Sequence, residues 1–193
     1  MDAAQIQASL LVARALDELG IAYVIGGSMA SSVHGIYRAT ADTDFVAAVL
    51  PRHTKALVQL LGPAFYADTL VIREAATAGR SFNVVHLETM LKVDVFVARD
   101  DPFRAAQIRR RILQATGPDA GASFYVTSPE DTVLAKLDWF RRGGEVSDRQ
   151  WNDVLGVLKV QGPGLDQVYM NGWAERMGLM SLLRRAWQED GLP

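Results

Sequence analysis

The 193-residue sequence contains no cysteine. This absence excludes disulfide bonds, thiolate metal sites and cysteine nucleophiles, and it fits a protein of the reducing cytoplasm. The sequence also lacks an apolar run near the roughly 18 residues that a membrane-spanning helix needs. Its first twenty residues have neither a basic start nor an uninterrupted apolar stretch, so we expect no signal peptide. These absences together predict a soluble cytoplasmic protein with no membrane partner.

The sequence also has no large excess of one charge and no cluster of histidines. The formal net charge is -2, which does not indicate a general nucleic-acid-binding surface. The three histidines, His34, His53 and His86, do not have the spacing of a zinc site. An RNA or protein partner would need a local basic patch such as residues 109–111, but a solvated surface is the favoured interpretation of these residues.

Two kinds of apolar periodicity divide the sequence. Short β-rich runs separated by turns dominate residues 1–127, whereas apolar residues at helical spacing dominate residues 128–193. The change falls at Ser128, where Ser-Pro-Glu-Asp has the composition of a helix start. We therefore predict an α+β fold with a small mixed-sheet core flanked by helices (1–127) and a C-terminal helical part (128–193).

A glycine-rich turn follows the first predicted strand, IAYVI (21–25). Gly26, Gly27 and Ser28 lead into a short predicted helix, for which Ser28 is the expected N-cap. Glycines between a strand and a helix leave backbone N–H groups for an anion, and a serine hydroxyl can donate to a phosphate oxygen. The turn therefore predicts a phosphate-binding site.

Three aspartates occupy positions that are unfavourable for stability. Asp42 and Asp44 begin a predicted strand, and side chains two residues apart on a strand point to the same side. Asp94 lies in the apolar run MLKVDVFVA, where an unpaired carboxylate is expensive to bury. If the two strands are neighbours, the three carboxylates converge and need a counter-charge. Mg²⁺ supplies one and prefers oxygen ligands, so we predict Asp42, Asp44 and Asp94 as metal ligands.

Two alternatives remain open, one for the three aspartates and one for the glycine turn. Asp42 and Asp44 also fit turn and cap positions, and Asp94 also fits a half-exposed strand. The pentapeptide GGSMA is one residue away from the G-x-S-x-G of serine hydrolases, but the last histidine, His86, lies early for that chemistry. A serine hydrolase is therefore the remote alternative. The glycine turn upstream of the aspartates favours a site for metal and phosphate.

The combined pattern resembles a known superfamily. The order Gly-Gly-Ser, then Asp-x-Asp, then a single Asp on a later strand is similar to the nucleotidyltransferases of the polymerase-β-like superfamily. The stretch GGSMASSVHGIYRATADTDF is most similar to their minimal, AbiEii-type toxin branch. In that branch a helical C-terminal part carries a lysine and then an R-x-x-x-D segment, which match Lys136 and Arg149 to Asp153.

The resemblance implies a role for each candidate residue. The glycine turn would hold the triphosphate, the three aspartates would bind Mg²⁺ or Mn²⁺, and Lys136 would contact the phosphates. Asp153 would assist at the acceptor or nucleotide side, although Lys136 and Asp153 also fit ordinary helix-surface positions. The implied catalytic residues are Asp42, Asp44, Asp94, Lys136 and Asp153, and the nucleotide-binding residues are Gly26, Gly27, Ser28, Arg38, Thr40 and Lys136.

The resemblance also implies the reaction. We expect transfer of a nucleoside monophosphate from an NTP to an acceptor that the sequence does not identify: an RNA such as tRNA, a protein or a small molecule. A toxin with a cognate antitoxin as its partner protein is the biological role that the AbiEii-type branch implies. The alternative is a non-catalytic module of the same fold that binds an NTP or a partner protein.

Overall fold

The structure is a computed structural model that describes residues 3–40, 42–115 and 122–190. These residues form nine α-helices and seven strands, which confirms the predicted α+β fold. No helix within these ranges has both the length and the apolar character to cross a membrane. In chain order the elements are α1 (Ala3–Glu18), β1 (Tyr23–Ile25), α2 (Gly27–His34), β2 (Thr43–Ala47), α3 (Thr54–Leu61), β3 (Phe65–Tyr66), α4 (Thr69–Ala78), β4 (Ser81–His86), β5 (Leu91–Val97), α5 (Pro102–Arg109), β6 (Ile112–Ala115), β7 (Ser123–Val126), α6 (Pro129–Arg142), α7 (Asp148–Gln161), α8 (Gln167–Met177) and α9 (Met180–Asp190).

Residue contacts divide the described chain into two compact units. The first unit comprises the described parts of 1–26 and 39–127, and it contains the whole sheet. The second comprises 27–38 and the described part of 128–193, with α2 and α6 to α9. The division into domains 1–127 and 128–193 stays a prediction. The structure adds that α2, from the N-terminal half of the sequence, packs on α6 and α7.

One seven-stranded mixed sheet organises the first unit, in the order β3-β4-β5-β2-β1-β7-β6. The central strand β2 pairs parallel with β5 and antiparallel with β1. Phe45, Val93 and Val95 alternate along these strands and are buried, because they belong to the face that forms the core. The residues between them, including Asp44 and Asp94, therefore belong to the opposite face.

Two elements were not expected from the sequence. Strand β3 has only two residues, too few to show a period. Helix α5 is also short and has a weak apolar pattern. The sequence Asp101-Pro102 is a recognisable helix start. The Asp101 side chain caps α5 by accepting hydrogen bonds from the N–H groups of Phe103 and Arg104, and Pro102 occupies the first turn.

A close backbone contact holds α2 against α7 in the second unit. A Cβ atom placed on Gly35, just after α2, would lie 2.7 Å from the Val157 nitrogen and 2.8 Å from the Gly156 carbonyl carbon. Real Cβ atoms do not approach backbone atoms this closely, so only glycine fits at residue 35 without a shift of the backbone. The position of α2, which carries Ser28, therefore depends on this glycine.

We predict that Gly35→Ala destabilises the protein by about 1–3 kcal/mol, because the added methyl group collides with backbone that cannot rotate away. Urea unfolding would measure the change in the free energy of unfolding. The matched control is Gly172→Ala inside α8, where an added Cβ meets no atom within 4 Å. That substitution should stabilise the helix by up to about 1 kcal/mol. Equal effects of the two substitutions on the free energy of unfolding would contradict the claim that the contact with α7 requires glycine at residue 35.

Candidate active site

Strands β2 and β5 place two of the predicted carboxylates side by side. Their parallel register aligns Asp44 with Asp94 and Thr43 with Val93. Paired strands lie about 4.8 Å apart, and residues opposite each other point to the same face. Asp42 directly precedes the first paired residue of β2. The condition set by the sequence argument, that the two aspartate-bearing strands are neighbours, is therefore met.

A lysine supplies these carboxylates with a counter-charge from within the chain. Lys92 lies two residues before Asp94 on β5, and its Nζ is 2.8 Å from the Oδ2 of Asp94. The hydrogen bond to Asp94 raises the pKa of Lys92 against the opposing effect of desolvation, and the charges of Asp42 and Asp44 raise it further. Lys92 is not among the residues that the motifs indicate, although its two-residue spacing from Asp94 is a signal that could have identified it.

The predicted convergence of three carboxylates on one metal ion is not seen. Within the described ranges, no three side chains of the metal-binding types are arranged to hold an ion. Asp42 is exposed, and Asp94 is paired with Lys92. Asp44 and Asp94 still form an oxygen-bearing pair. Because Mg²⁺ commonly takes one or two carboxylates from the protein and its other ligands from phosphates and water, this donor set fits Mg²⁺ or Mn²⁺ bound with a nucleotide.

Helix α1 holds the backbone at the start of β2. The Gln5 amide Nε2 donates to the Asp42 carbonyl oxygen at 3.1 Å, and the hydroxyls of Ser9 and Thr43 are hydrogen-bonded at 3.1 Å. The hydroxyl of Thr40 also donates to the Asp42 carbonyl, at 3.3 Å. Gln5, Ser9 and Thr43 are all buried. Thr40 therefore acts on the backbone of a predicted metal ligand, as does Gln5, which the motifs did not indicate.

The glycine turn differs in detail from the predicted phosphate cradle. The Gly26 N–H donates to the Asp44 carbonyl oxygen at 2.8 Å, so it extends the sheet and is not available to a phosphate. Gly27 has a φ of 56°, a conformation that favours glycine, and is the first residue of α2. Ser28 consequently lies in the first turn of the helix. The expectation that Ser28 is the N-cap is wrong, because the helix begins at Gly27 and already includes Ser28.

Four predicted residues come together in the second unit. Asp153 accepts hydrogen bonds from Arg38 Nε at 2.7 Å and from Lys136 Nζ at 2.7 Å. Both cations also donate to the hydroxyl oxygen of Ser28. The side chains of Lys136 and Asp153 are only 4% and 5% exposed, so they are not ordinary helix-surface residues. Arg149, by contrast, is exposed.

Asp153 is held in its ionised form. Its burial alone would raise the pKa of the carboxyl, but the hydrogen bonds and charges of Arg38 and Lys136 outweigh burial and lower the pKa. A carboxylate with a lowered pKa is a weak proton acceptor. The arrangement instead suits Asp153 to fixing the two cations beside Ser28.

No protein-family model and no curated protein matches the sequence. Solved structures match it along nearly its whole length. The solution structure of the antibiotic-resistance factor ANT(2″)-Ia has a TM-score of 0.55 at 14% identity and covers 96% of this chain and 99% of its own. The crystal structure of ANT(2″)-Ia with adenylyl-2″-tobramycin has a TM-score of 0.55 at 15% identity, covering 89% and 98%. An antigenic nucleotidyltransferase-like protein from Paracoccidioides brasiliensis has a TM-score of 0.52 at 18% identity, covering 97% and 94%.

These likenesses are of fold, since the sequence identities are low. The chain has the nucleotidyltransferase fold, and the resemblance to that superfamily is confirmed at this level. Membership of the AbiEii-type branch stays a prediction.

We predict that Gln5→Leu destabilises the protein by about 1–3 kcal/mol, because the carbonyl of Asp42 and the hydroxyl of Thr43 lose a buried donor. Urea unfolding of this variant would measure the change. The matched control is Gln7→Leu, an exposed position on the same helix, which should change the free energy of unfolding by less than about 0.5 kcal/mol. A loss no larger than that of the control would show that the α1 contact does not hold the start of β2.

We predict that Asp153→Asn destabilises the protein by about 3 kcal/mol near neutral pH, because two cations lose their anion. The folded-state pKa of Asp153 lies below its unfolded value of about 3.8, so its contribution to stability is complete at pH values well above 3.8 and is lost as the pH falls through the folded pKa. The difference between wild type and variant should therefore shrink between pH 5 and the acid limit of folding. Urea unfolding at several pH values would measure it, with Asp148→Asn at the exposed start of α7 as the control. A difference that stays constant with pH would contradict the assignment.

Proposed function

We propose that this protein is a metal-dependent nucleotidyltransferase that transfers a nucleoside monophosphate from an NTP to an acceptor hydroxyl. The observation that carries the proposal is the alignment of Asp44 with Asp94 on paired strands of a nucleotidyltransferase fold. One neighbour of that fold is described in complex with adenylyl-2″-tobramycin, an adenylylated small molecule. Among the acceptor classes left open by the sequence, a small molecule is therefore the one we favour over RNA or protein.

In this proposal Asp44 and Asp94, with Asp42, hold Mg²⁺ or Mn²⁺. The bound ion would neutralise charge on the phosphates and favour ionisation of the acceptor hydroxyl. Gln5 and Thr40 donate hydrogen bonds to the carbonyl oxygen of Asp42 and so fix its backbone, which would limit the positions from which the Asp42 carboxylate can reach the ion. The reaction forms a bond from the acceptor oxygen to the α-phosphorus and breaks the bond to the leaving pyrophosphate.

We assign the phosphates to the cluster around Ser28. Its hydroxyl oxygen accepts hydrogen bonds from Arg38 and Lys136, which leaves the O–H hydrogen to donate to a phosphate oxygen. The guanidinium and ammonium groups bind phosphate oxygens through charge-assisted hydrogen bonds. Gly27, with its left-handed backbone, starts the helix whose first turn carries this serine. Asp153 is a positioning residue, because it holds both cations in place.

The same cluster argues against the remote alternative of a serine hydrolase. A nucleophilic serine donates its hydroxyl hydrogen to a general base. Ser28 instead accepts hydrogen bonds from two cations, which lowers the nucleophilicity of its oxygen.

A cytoplasmic location fits the absence of cysteine, and the role of toxin with an antitoxin partner stays an expectation from the resemblance.

We predict that the purified protein transfers label from α-³²P-labelled NTPs to an acceptor in the presence of Mg²⁺ or Mn²⁺, and that EDTA abolishes the transfer. Small hydroxylated compounds, tRNA and protein mixtures would be offered separately. Asp44→Asn should lower the rate by about a hundredfold or more, since it removes a metal-binding charge. Glu74→Gln, at an exposed carboxylate on α4, should leave the rate unchanged.

Two results would contradict the proposal. Transfer by Asp44→Asn at the wild-type rate would show that this carboxylate has no part in the reaction. NTP binding by the wild type without transfer to any acceptor class would favour the non-catalytic module.

A further inference from the structure

Lys92 belongs to the charged face of the sheet and not to its periphery. Lys92 and Asp42 each directly precede the first positions at which β5 and β2 pair with each other, Val93 and Thr43. Lys92 is therefore level with Asp42 in the parallel pair, just as Asp94 is level with Asp44. Lys92 and Asp94 lie two residues apart on the same face as Asp44, and Asp42, directly before β2, precedes Asp44 by the same spacing. One cation is thus set into the row of three anions.

An ordinary surface ion pair explains this arrangement poorly. The Lys92 side chain is 42% exposed, and exposed pairs contribute little to stability. Like charges placed opposite each other on neighbouring strands are destabilising, and Asp44 and Asp94 are such a pair. The positive charge of Lys92 on the same face reduces that repulsion.

The same charge has the opposite effect on a divalent ion. The Oδ2 atom of Asp94 that Lys92 contacts is one of the oxygens a metal needs. An ion that binds through this oxygen must therefore replace the ammonium, and an ion at the other carboxylate oxygen is repelled by the ammonium while it remains close.

We propose that Lys92 is the resident counter-ion of the metal site and that Mg²⁺ or Mn²⁺ binds by displacing its ammonium group from Asp94. The inference rests on the proposed function, because it takes Asp44 and Asp94 as metal ligands. Lys92 is in this sense a positioning residue. It keeps the carboxylates in place without metal and weakens the affinity for metal alone.

The test is the dissociation constant of Mn²⁺ without nucleotide, measured by electron paramagnetic resonance of the free ion. Lys92→Met should bind Mn²⁺ about three- to tenfold more tightly than wild type, since a neighbouring positive charge is removed. Lys92→Arg keeps the charge and should bind like wild type. Lys55→Met removes an exposed lysine of α3 and should also bind like wild type. The gain should vanish in the double variant Lys92→Met/Asp44→Asn, which locates the ion.

A second readout uses thermal unfolding. In EDTA, Lys92→Met should melt at a lower temperature than Lys55→Met, because its carboxylates repel each other without a counter-charge. Saturating Mn²⁺ should remove that deficit, as a ligand that binds only the folded state stabilises it. Lys92→Gln, purified with Mn²⁺, serves if Lys92→Met does not fold in EDTA.

The outcomes separate this inference from the proposed function. Equal or weaker Mn²⁺ binding by Lys92→Met, with clear binding by wild type, would overturn the role of Lys92 and leave the metal site intact. A melting deficit that Mn²⁺ does not change would do the same. Absence of Mn²⁺ binding by every variant would overturn the inference together with the metal dependence of the proposed reaction.

Discussion

The parallel pairing of β2 with β5 is the constraint on which the candidate metal site depends. A shift of register by one residue would turn one aspartate toward the core and the other away from it. The apolar residues between the aspartates exclude such a shift, because Phe45, Val93 and Val95 are buried on the other face. The core side of the strands therefore determines where the carboxylates lie. One face of these strands forms the core, and the opposite face carries the candidate metal ligands.

The carboxylates of the two units differ in how they are neutralised. Asp153 is buried and lies between two cations, so it is an internal part of the helical unit. Asp94 is 22% exposed and is paired with a lysine whose side chain is 42% exposed. A buried pair is costly to break, whereas a partly exposed pair can exchange its cation. This difference is the basis on which we propose a positioning role for Asp153 and an exchangeable cation for Asp94.

Much of the fold was accessible from the sequence because its signals are local. The start signal at Ser128 and the apolar runs of β2 and β5 each depend on neighbouring residues. Asp44 and Asp94 were also identifiable as candidates, since both are carboxylates in apolar strands, but the structure was needed to show that they are paired. Lys92 belongs with these local signals, because it precedes Asp94 by two residues on the same strand.

Other features depend on contacts between distant parts of the chain. Arg38 meets Asp153 across 115 residues and Ser28 meets Lys136 across 108, and no period or motif encodes such pairings by itself. The buried contact from Gln5 to the backbone of Asp42 is of the same kind. For Arg38, Lys136 and Asp153 the resemblance to a family indicated the residues. Only the coordinates show that they share hydrogen bonds.

The most direct test of the central claim is a crystal structure of the protein with Mn²⁺ and a non-hydrolysable NTP analogue, with the ion located by anomalous scattering. The account predicts a peak at coordination distance, about 2.0–2.2 Å, from carboxylate oxygens of Asp44 and Asp94. In that structure the Lys92 ammonium should have left Asp94. An ion coordinated elsewhere, with the Lys92–Asp94 pair unchanged, would contradict the account.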